Sequence, residues 1–287
     1  MLNLLKHIAM TTLREKFIQQ MLLKGYSQRT IRTYVSFLAS FARHYNCSPD
    51  LVSIDQIRDY LQENITECKR SKSWVNQLIS AFKFLYCDVL KREWSPLEIP
   101  RPMRDKKLPV VLSRVEIQKI ITAHKNIKHK AILLTAYSAG LRLNEVCHLK
   151  ISDIDSSRML IRVNHSKGNK DRYTLLSPIT LNMLRIYYKK YHPTSWLFEG
   201  TLKGTSISDR TVSTVFKNAL VKAKINRQVG IHSLRHSFAT HLLEQGVALP
   251  VIQQILGHKS LKTTSGYLHV QQYSIQGVKS PVDSLAV

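Results

Sequence analysis

The sequence predicts a mainly helical protein with a small β-sheet, divided into two parts. Three observations carry that prediction. Apolar residues recur at helical spacing through most of the 287 residues, a length that suits two ordinary domains. A stretch with four prolines among basic residues, 95–109, interrupts that spacing. Two short β-prone runs flank a Gly168-Asn169 turn in the second part. The expected organisation is a helical bundle over 1–95, a basic proline-rich linker over 96–108, and a larger domain with a C-terminal tail over 109–287.

In the first part, Gly25-Tyr26-Ser27 breaks the chain, and Ser27 suits the N-cap of a helix carrying Ile31, Tyr34, Val35, Leu38 and Phe41. Ser53 is placed to cap a second helix with Ile54, Ile57, Tyr60 and Leu61. A third helix starts near Ser73 and carries Trp74, Leu78, Ala81, Phe82 and Leu85. Gln28, Arg29 and Arg32 open one of these helices, and Lys72, Asn76 and Lys83 mark another.

The second part opens with a helix capped by Ser113. An apolar helix over 129–139 follows and ends at Gly140, a suitable C′ glycine. Arg142, Val146 and Leu149 then share a helical face, which puts a guanidinium among apolar groups. Glu145 can hold Arg142 from the same side, but one partner cannot satisfy five donors. The runs MLIRV and RYTLL form a hairpin that projects Lys167 and Lys170 from its tip. Helices resume near Thr180–Tyr191 and Ser208–Lys224, and Pro250 and Gly257 bracket a short helix as its N1 proline and C′ glycine.

The segment 232–267 concentrates the chemistry. On a helix over Ser233–Gln245, residues Leu234, Phe238, Ala239, Leu242 and Leu243 make one apolar stripe. Arg235 falls near the middle of that stripe, and Glu244 lies on the opposite face. Desolvating a guanidinium without a partner costs several kcal/mol or more, so Arg235 needs an anion, for which a ligand phosphate is one candidate. His232 and His236 are four residues apart, but no third ligand has suitable spacing and Arg235 between them would repel a cation, so no metal site is read here. His241 is expected at the surface.

A net charge of +24 and a pI near 10.0 point to nucleic acid as the partner. Both parts are basic: 18 basic against 10 acidic residues up to residue 108, and 25 against 9 after it. A membrane partner is not indicated. MLNLLKHIAM is too short and interrupted for a signal peptide or a span, and no later run approaches 18 apolar residues. Cys47, Cys68, Cys87 and Cys147 lack zinc-module spacing, and their scatter fits a reducing cytoplasm.

Four ordered motifs, AGLRLNEVCHL, SKGNKDR, HSLRHSFATHLLEQG and LGHKSLKTTSGYLHV, closely resemble those of the tyrosine recombinase (phage integrase) family, across 109–270. The helical part before the linker is similar to that family's core-binding, SAM-like DNA-binding domain, though less specifically. The chain looks most like the simple bacterial two-domain members, Xer-like and transposon-borne. Residues 192–231 are too short for the added segment of integron enzymes.

The resemblance implies metal- and ATP-independent cutting and rejoining of duplex DNA through a 3′-phosphotyrosyl link and a Holliday junction, with no cofactor. It implies Tyr267 as nucleophile, Arg142 and Arg235 as the phosphate clamp, and Lys167 as proton donor to the leaving 5′ oxygen. His232 and His258 fall on the two histidine positions. We expect general acid/base work from His232, a phosphate hydrogen bond from His258, and an orienting role for Glu145. Arg29, Arg32, Lys72, Asn76, Lys83 and Lys170 are expected at the DNA. The implied working state is a homotetramer on paired sites, assembled from free monomers, with a C-terminal tail that docks on a neighbouring subunit. Two rivals remain: a type IB topoisomerase-like enzyme and a non-catalytic DNA-binding accessory protein.

Overall fold

The structure, a computed structural model, describes residues 2–94, 99–103, 109–166, 170–258, 260 and 264–265. It divides into two units, Met1–Lys106 and Lys107–Val287.

The first unit is helical. Helix α1 (Leu2–Leu23) starts well before the break at Gly25. Helix α2 (Gln28–Tyr45) is capped by Ser27, whose hydroxyl accepts from Thr30 N, and α3 (Ile54–Thr66) has a full capping box between Ser53 and Gln56. Helix α4 (Lys72–Phe84) is capped by Ser71, earlier than expected, and runs into a π-helical turn over Leu85–Val89. The apolar stripes named above meet as expected: Ile31, Phe41, Ile57, Leu78, Phe82 and Leu85 are buried together. Phe41 makes edge contacts with Tyr60 and Phe82, and Phe37 with Trp74 joins α2 to α4. Among the described residues, no helix is long and apolar enough to cross a membrane.

Part of the stretch read as a linker belongs to this unit. Ile99 is buried in its core. Arg101 donates to Asn76 O at 3.2 Å and to Ser80 Oγ at 3.1 Å, and Asn76 Nδ2 donates to Pro102 O at 3.1 Å. Proline prevents helix here, but it does not prevent an extended chain from bonding to the side of α4.

In the second unit, α5 (Arg114–Thr122) has a capping box between Ser113 and Glu116, and α6 (Ile127–Ser138) is capped by Asn126. Gly140 follows at φ +57°, in the left-handed region expected of a C′ glycine. Helix α7 (Leu143–Cys147) has only five residues. The hairpin is present as β2 (Leu160–Ser166) and β3 (Lys170–Leu175), and a short strand β1 (Ile154–Asp155), not foreseen in the sequence, completes an antiparallel sheet in the order β1-β2-β3. Helices α8 (Pro178–Tyr191), α9 (Asp209–Lys222), α10 (His232–Glu244) and α11 (Leu249–Leu256) follow.

One core joins α5–α9 to the sheet. A satellite cluster of Phe238, Ala239, Leu243, Ile252 and Leu256 joins α10 to α11. Leu112 N donates to Ser237 Oγ at 2.8 Å, which fastens the start of the second unit to α10.

Candidate active site

Glu145 is the centre of the site. As the third residue of α7 it accepts from Arg142 N at 2.8 Å, a cap that explains a glutamate at this position. Its other hydrogen bonds run to Arg142 Nη1 at 2.7 Å and to Arg172, with Nη1 to Oε1 and Nη2 to Oε2 both at 2.7 Å. Burial alone would raise the Glu145 carboxyl. The hydrogen bonds and charge of Arg172, then those of Arg142, overcome that and hold it at about 2. Glu145 is therefore an anion at any working pH.

Arg142 departs from expectation in one respect. It is the extended N-cap of α7 (φ −74°, ψ 155°), not a residue on the helix face. Its side chain is 23% exposed, so the guanidinium still reaches the surface of the unit.

Arg235 lies where the sequence placed it, in the apolar stripe of α10, and is 4% exposed. Two of its partners are main-chain carbonyls. Nη1 donates to Gly140 O at 2.7 Å and Nη2 to Leu256 O at 2.6 Å, and Glu145 Oε2 stands 3.8 Å from Nη1. Both carbonyls lie at helix C-termini, where the macrodipole favours a cation. Glu244 is occupied elsewhere, 3.7 Å from Arg114.

The histidines border this cluster. His258 follows Gly257, the left-handed cap of α11, and its Nδ1 is 2.9 Å from Thr264 Oγ1. Burial and then the charges of Arg235, Arg142 and Arg172 push His258 down to about 4. His232 is the first residue of α10, and its pKa is lowered by partial burial and then by Arg235 and Arg142. Both are neutral imidazoles at pH 7. His241 corrects the sequence reading: it is buried, with Nδ1 2.8 Å from Tyr137 Oη. A tyrosine on the neighbouring helix α6 supplies the partner that a histidine on the inner face needs.

Arg172 is the residue that the sequence reading missed. The alternation of β3 carried the signal, because Arg172 and Thr174 share a phase and both are buried, whereas Tyr173 and Leu175 are exposed. An arginine in the inward phase of a strand asks for a buried anion.

Lys167 and Tyr267 lie outside the described residues. Lys170 begins β3, paired with Ser166. In the first unit Arg29 and Arg32 are exposed on α2, and Lys72 and Lys83 on α4. Asn76 is not available there. It is 4% exposed, and Nδ2 donates to Lys72 O and Pro102 O. Its phase on α4 turns it inward, where it holds the chain after the helix.

Residues 111–273 match the model of the phage integrase family, and residues 13–96 match that of the phage integrase N-terminal SAM-like domain. A putative integrase/recombinase, y4qK, from Sinorhizobium fredii is 38% identical over 98% of this chain and 91% of its own. Tyrosine recombinase XerA from Pyrococcus horikoshii is 33% identical over 92% and 91%. A crystal structure of XerA recombinase aligns with a TM-score of 0.55 at 28% identity, over 93% of this chain and 96% of that one. A lambda integrase dimer bound to a COC′ core site aligns with a TM-score of 0.73 at 19% identity, over 94% and 98%, which is a likeness of fold.

Proposed function

The chain belongs to the phage integrase family, the tyrosine recombinases, and from that premise we propose how this site-specific DNA recombinase works. The carrying observation is that Arg142 and Arg235, 93 positions apart in the sequence, both lie against Glu145 and both lower the pKa values of His232 and His258. A scissile phosphate is the anion that such a cluster suits.

The Tyr267 oxygen attacks phosphorus, the bond to the 5′ oxygen breaks, and a 3′-phosphotyrosyl link remains. His232 takes the tyrosine proton, and Lys167 gives a proton to the leaving 5′ oxygen. Later a 5′ hydroxyl from the partner duplex attacks the phosphotyrosine and releases the Tyr267 oxygen, so ester bonds are exchanged without loss. Charge builds on the non-bridging oxygens in the transition state, and two planar guanidiniums meet it with paired donors. His258, neutral at pH 7, adds a ring N–H to the same oxygens.

The substrate in this reading is duplex DNA with paired sites, recombined in the cytoplasm by a homotetramer through a Holliday junction. The basic first unit grips the duplex with Arg29, Arg32, Lys72 and Lys83. Solved relatives support a DNA substrate: XerH site-specific recombinase has been solved bound to a palindromic difH substrate, and lambda integrase bound to a COC′ core site. The tail after Tyr267 is assigned to contacts between subunits.

The test is covalent capture. The protein is incubated with a nicked duplex that it has itself enriched from a randomised pool, beside a Tyr267→Phe variant. An adduct with the parent alone is expected. No adduct with either protein would remove the enzymatic reading, an adduct with both would move the nucleophile, and relaxation of any supercoiled plasmid would favour a topoisomerase.

A further inference from the structure

Arg172 makes a three-donor buried polar contact in the second unit, and none of the steps above uses it. Its side chain is 7% exposed, and its guanidinium lies along both Glu145 oxygens, with 2.7 Å on each branch. The third donor, Nε, reaches Ile255 O at 2.8 Å, in the last turn of α11. One side chain thus ties β3, α7 and α11 together. Gly257 makes room for it: at φ +64°, a Cβ there would stand 2.7 Å from Arg172 Cδ.

The hydrogen-bond inventory of Glu145 shows what this contact achieves. A carboxylate offers about four lone-pair sites. Arg142 N, Arg142 Nη1, Arg172 Nη1 and Arg172 Nη2 take them. Arg235 Nη1 stands next in line, 3.8 Å from Oε2, and donates to the Gly140 carbonyl instead.

We infer that Arg172 is a positioning residue for recombination: by saturating the Glu145 carboxylate it keeps Arg142 and Arg235 aimed at the scissile phosphate. The inference rests on the functional reading above. Without Arg172, two acceptor sites open on Glu145, and among the described residues the two clamp arginines are the cations that stand against it. Each guanidinium drawn inward is lost from the phosphate. The cluster's charge, three arginines against one glutamate, also falls from +2 to +1. A phosphodiester ground state carries one negative charge and its pentacoordinate transition state two, so the loss falls on cleavage more than on DNA binding.

The experiment measures single-turnover adduct formation, DNA affinity and thermal melting on the full chain, with the self-selected nicked duplex. Arg172→Met should slow adduct formation about 100-fold while affinity changes less than about threefold. Arg172→Lys, with one ammonium for two oxygens, should slow it roughly tenfold. The decisive variant is Arg172→Met combined with Glu145→Gln, which removes the carboxylate that would capture the clamp. It should recover at least about tenfold over Arg172→Met, whereas a residue acting only as a structural staple gives a double variant no better than the single.

If Arg172→Met does not fold, Arg172→Lys decides. An Arg172→Lys rate within about threefold of the parent, or a double variant without recovery, overturns the proposal. A parent that forms no adduct at all overturns the functional reading instead.

Discussion

Gly140→Ala tests whether the end of α6 sets the clamp. Gly140 is at φ +57°, and a non-glycine residue held there costs about 1 kcal/mol. Space is the larger problem. A Cβ at 140 would overlap Phe238 Cδ1, stand 2.7 Å from Cε1 of the same ring, and lie 3.0 Å from Leu256 Cδ2. The ring is 6% exposed and contacts Tyr137 edge-on, so it cannot swing away freely. Overpacking of this kind costs about 1–3 kcal/mol. The sum, about 3 kcal/mol, corresponds to a fall in Tm of roughly 6–12 °C for a unit of this size. Calorimetry of the full chain would record it in the transition of the second unit. Phe238→Ala alone should also destabilise, by about 3–5 kcal/mol, because it empties a core site. The double variant should fall short of the summed losses by at least about 1 kcal/mol, since the alanine methyl then occupies space the ring has left. Cleavage should slow as well, because the carbonyl that moves is the one Arg235 Nη1 holds at 2.7 Å. A Gly140→Ala protein that melts within about 1 °C of the parent, or strict additivity with Phe238→Ala, would refute this reasoning.

Three further outcomes are expected. Arg235→Lys should lower cleavage by about 10²–10³ while mobility-shift affinity stays within a few-fold, and equal losses in both would make Arg235 a DNA-grip residue only. Glu145 is held at about 2, below its ordinary 4.5, so its stabilisation is complete above pH 4.5 and is lost as pH falls from there towards 2. The stability gap between the parent and Glu145→Gln should therefore shrink by about 3 kcal/mol over that interval in denaturant titrations, and a constant gap would contradict the ion-pair account. Asn76→Ala should cost about 1–2 kcal/mol through the lost bonds to Lys72 O and Pro102 O, with a DNA salt slope unchanged from the parent, whereas Lys83→Ala should reduce the slope if it meets a phosphate.

The helices and hairpin were legible because their signals are local. Ser27, Ser53 and Ser113 cap the helices they announce, and Gly140 and Gly257 take the left-handed conformations their positions demand. What escaped was mostly a matter of range. Asn76 carries a polar side chain at an inward phase, and only the return of Arg101 and Pro102 along α4 explains it. His241 depends likewise on Tyr137, 104 positions away. Strand β1 is two residues long, too short for any period to register.

The same distinction governs the site. A charge on an apolar face is visible in sequence as a contradiction, and Arg235 is the case that holds; for Arg142 the helical face is replaced by an N-cap position, although the same Glu145 holds it. The resolution of a contradiction is not visible in the same way. Arg235 donates to two main-chain carbonyls, Gly140 O and Leu256 O, and a carbonyl is present at every residue. Arg172 was overlooked for the complementary reason: in a hairpin rich in Lys and Arg, one more basic residue contradicts nothing until the strand phase is counted. Burial then reverses the ranking that composition suggests. Four of the residues expected at the DNA, Arg29, Arg32, Lys72 and Lys83, are exposed, where a contact with phosphate would add only an increment that salt can screen. The groups at 4–8% exposure, Glu145, Arg172 and Arg235, hold one another in a medium where a misplaced charge costs most. Specific cleavage should therefore be far more sensitive to substitutions in this trio than binding is to any single exposed lysine.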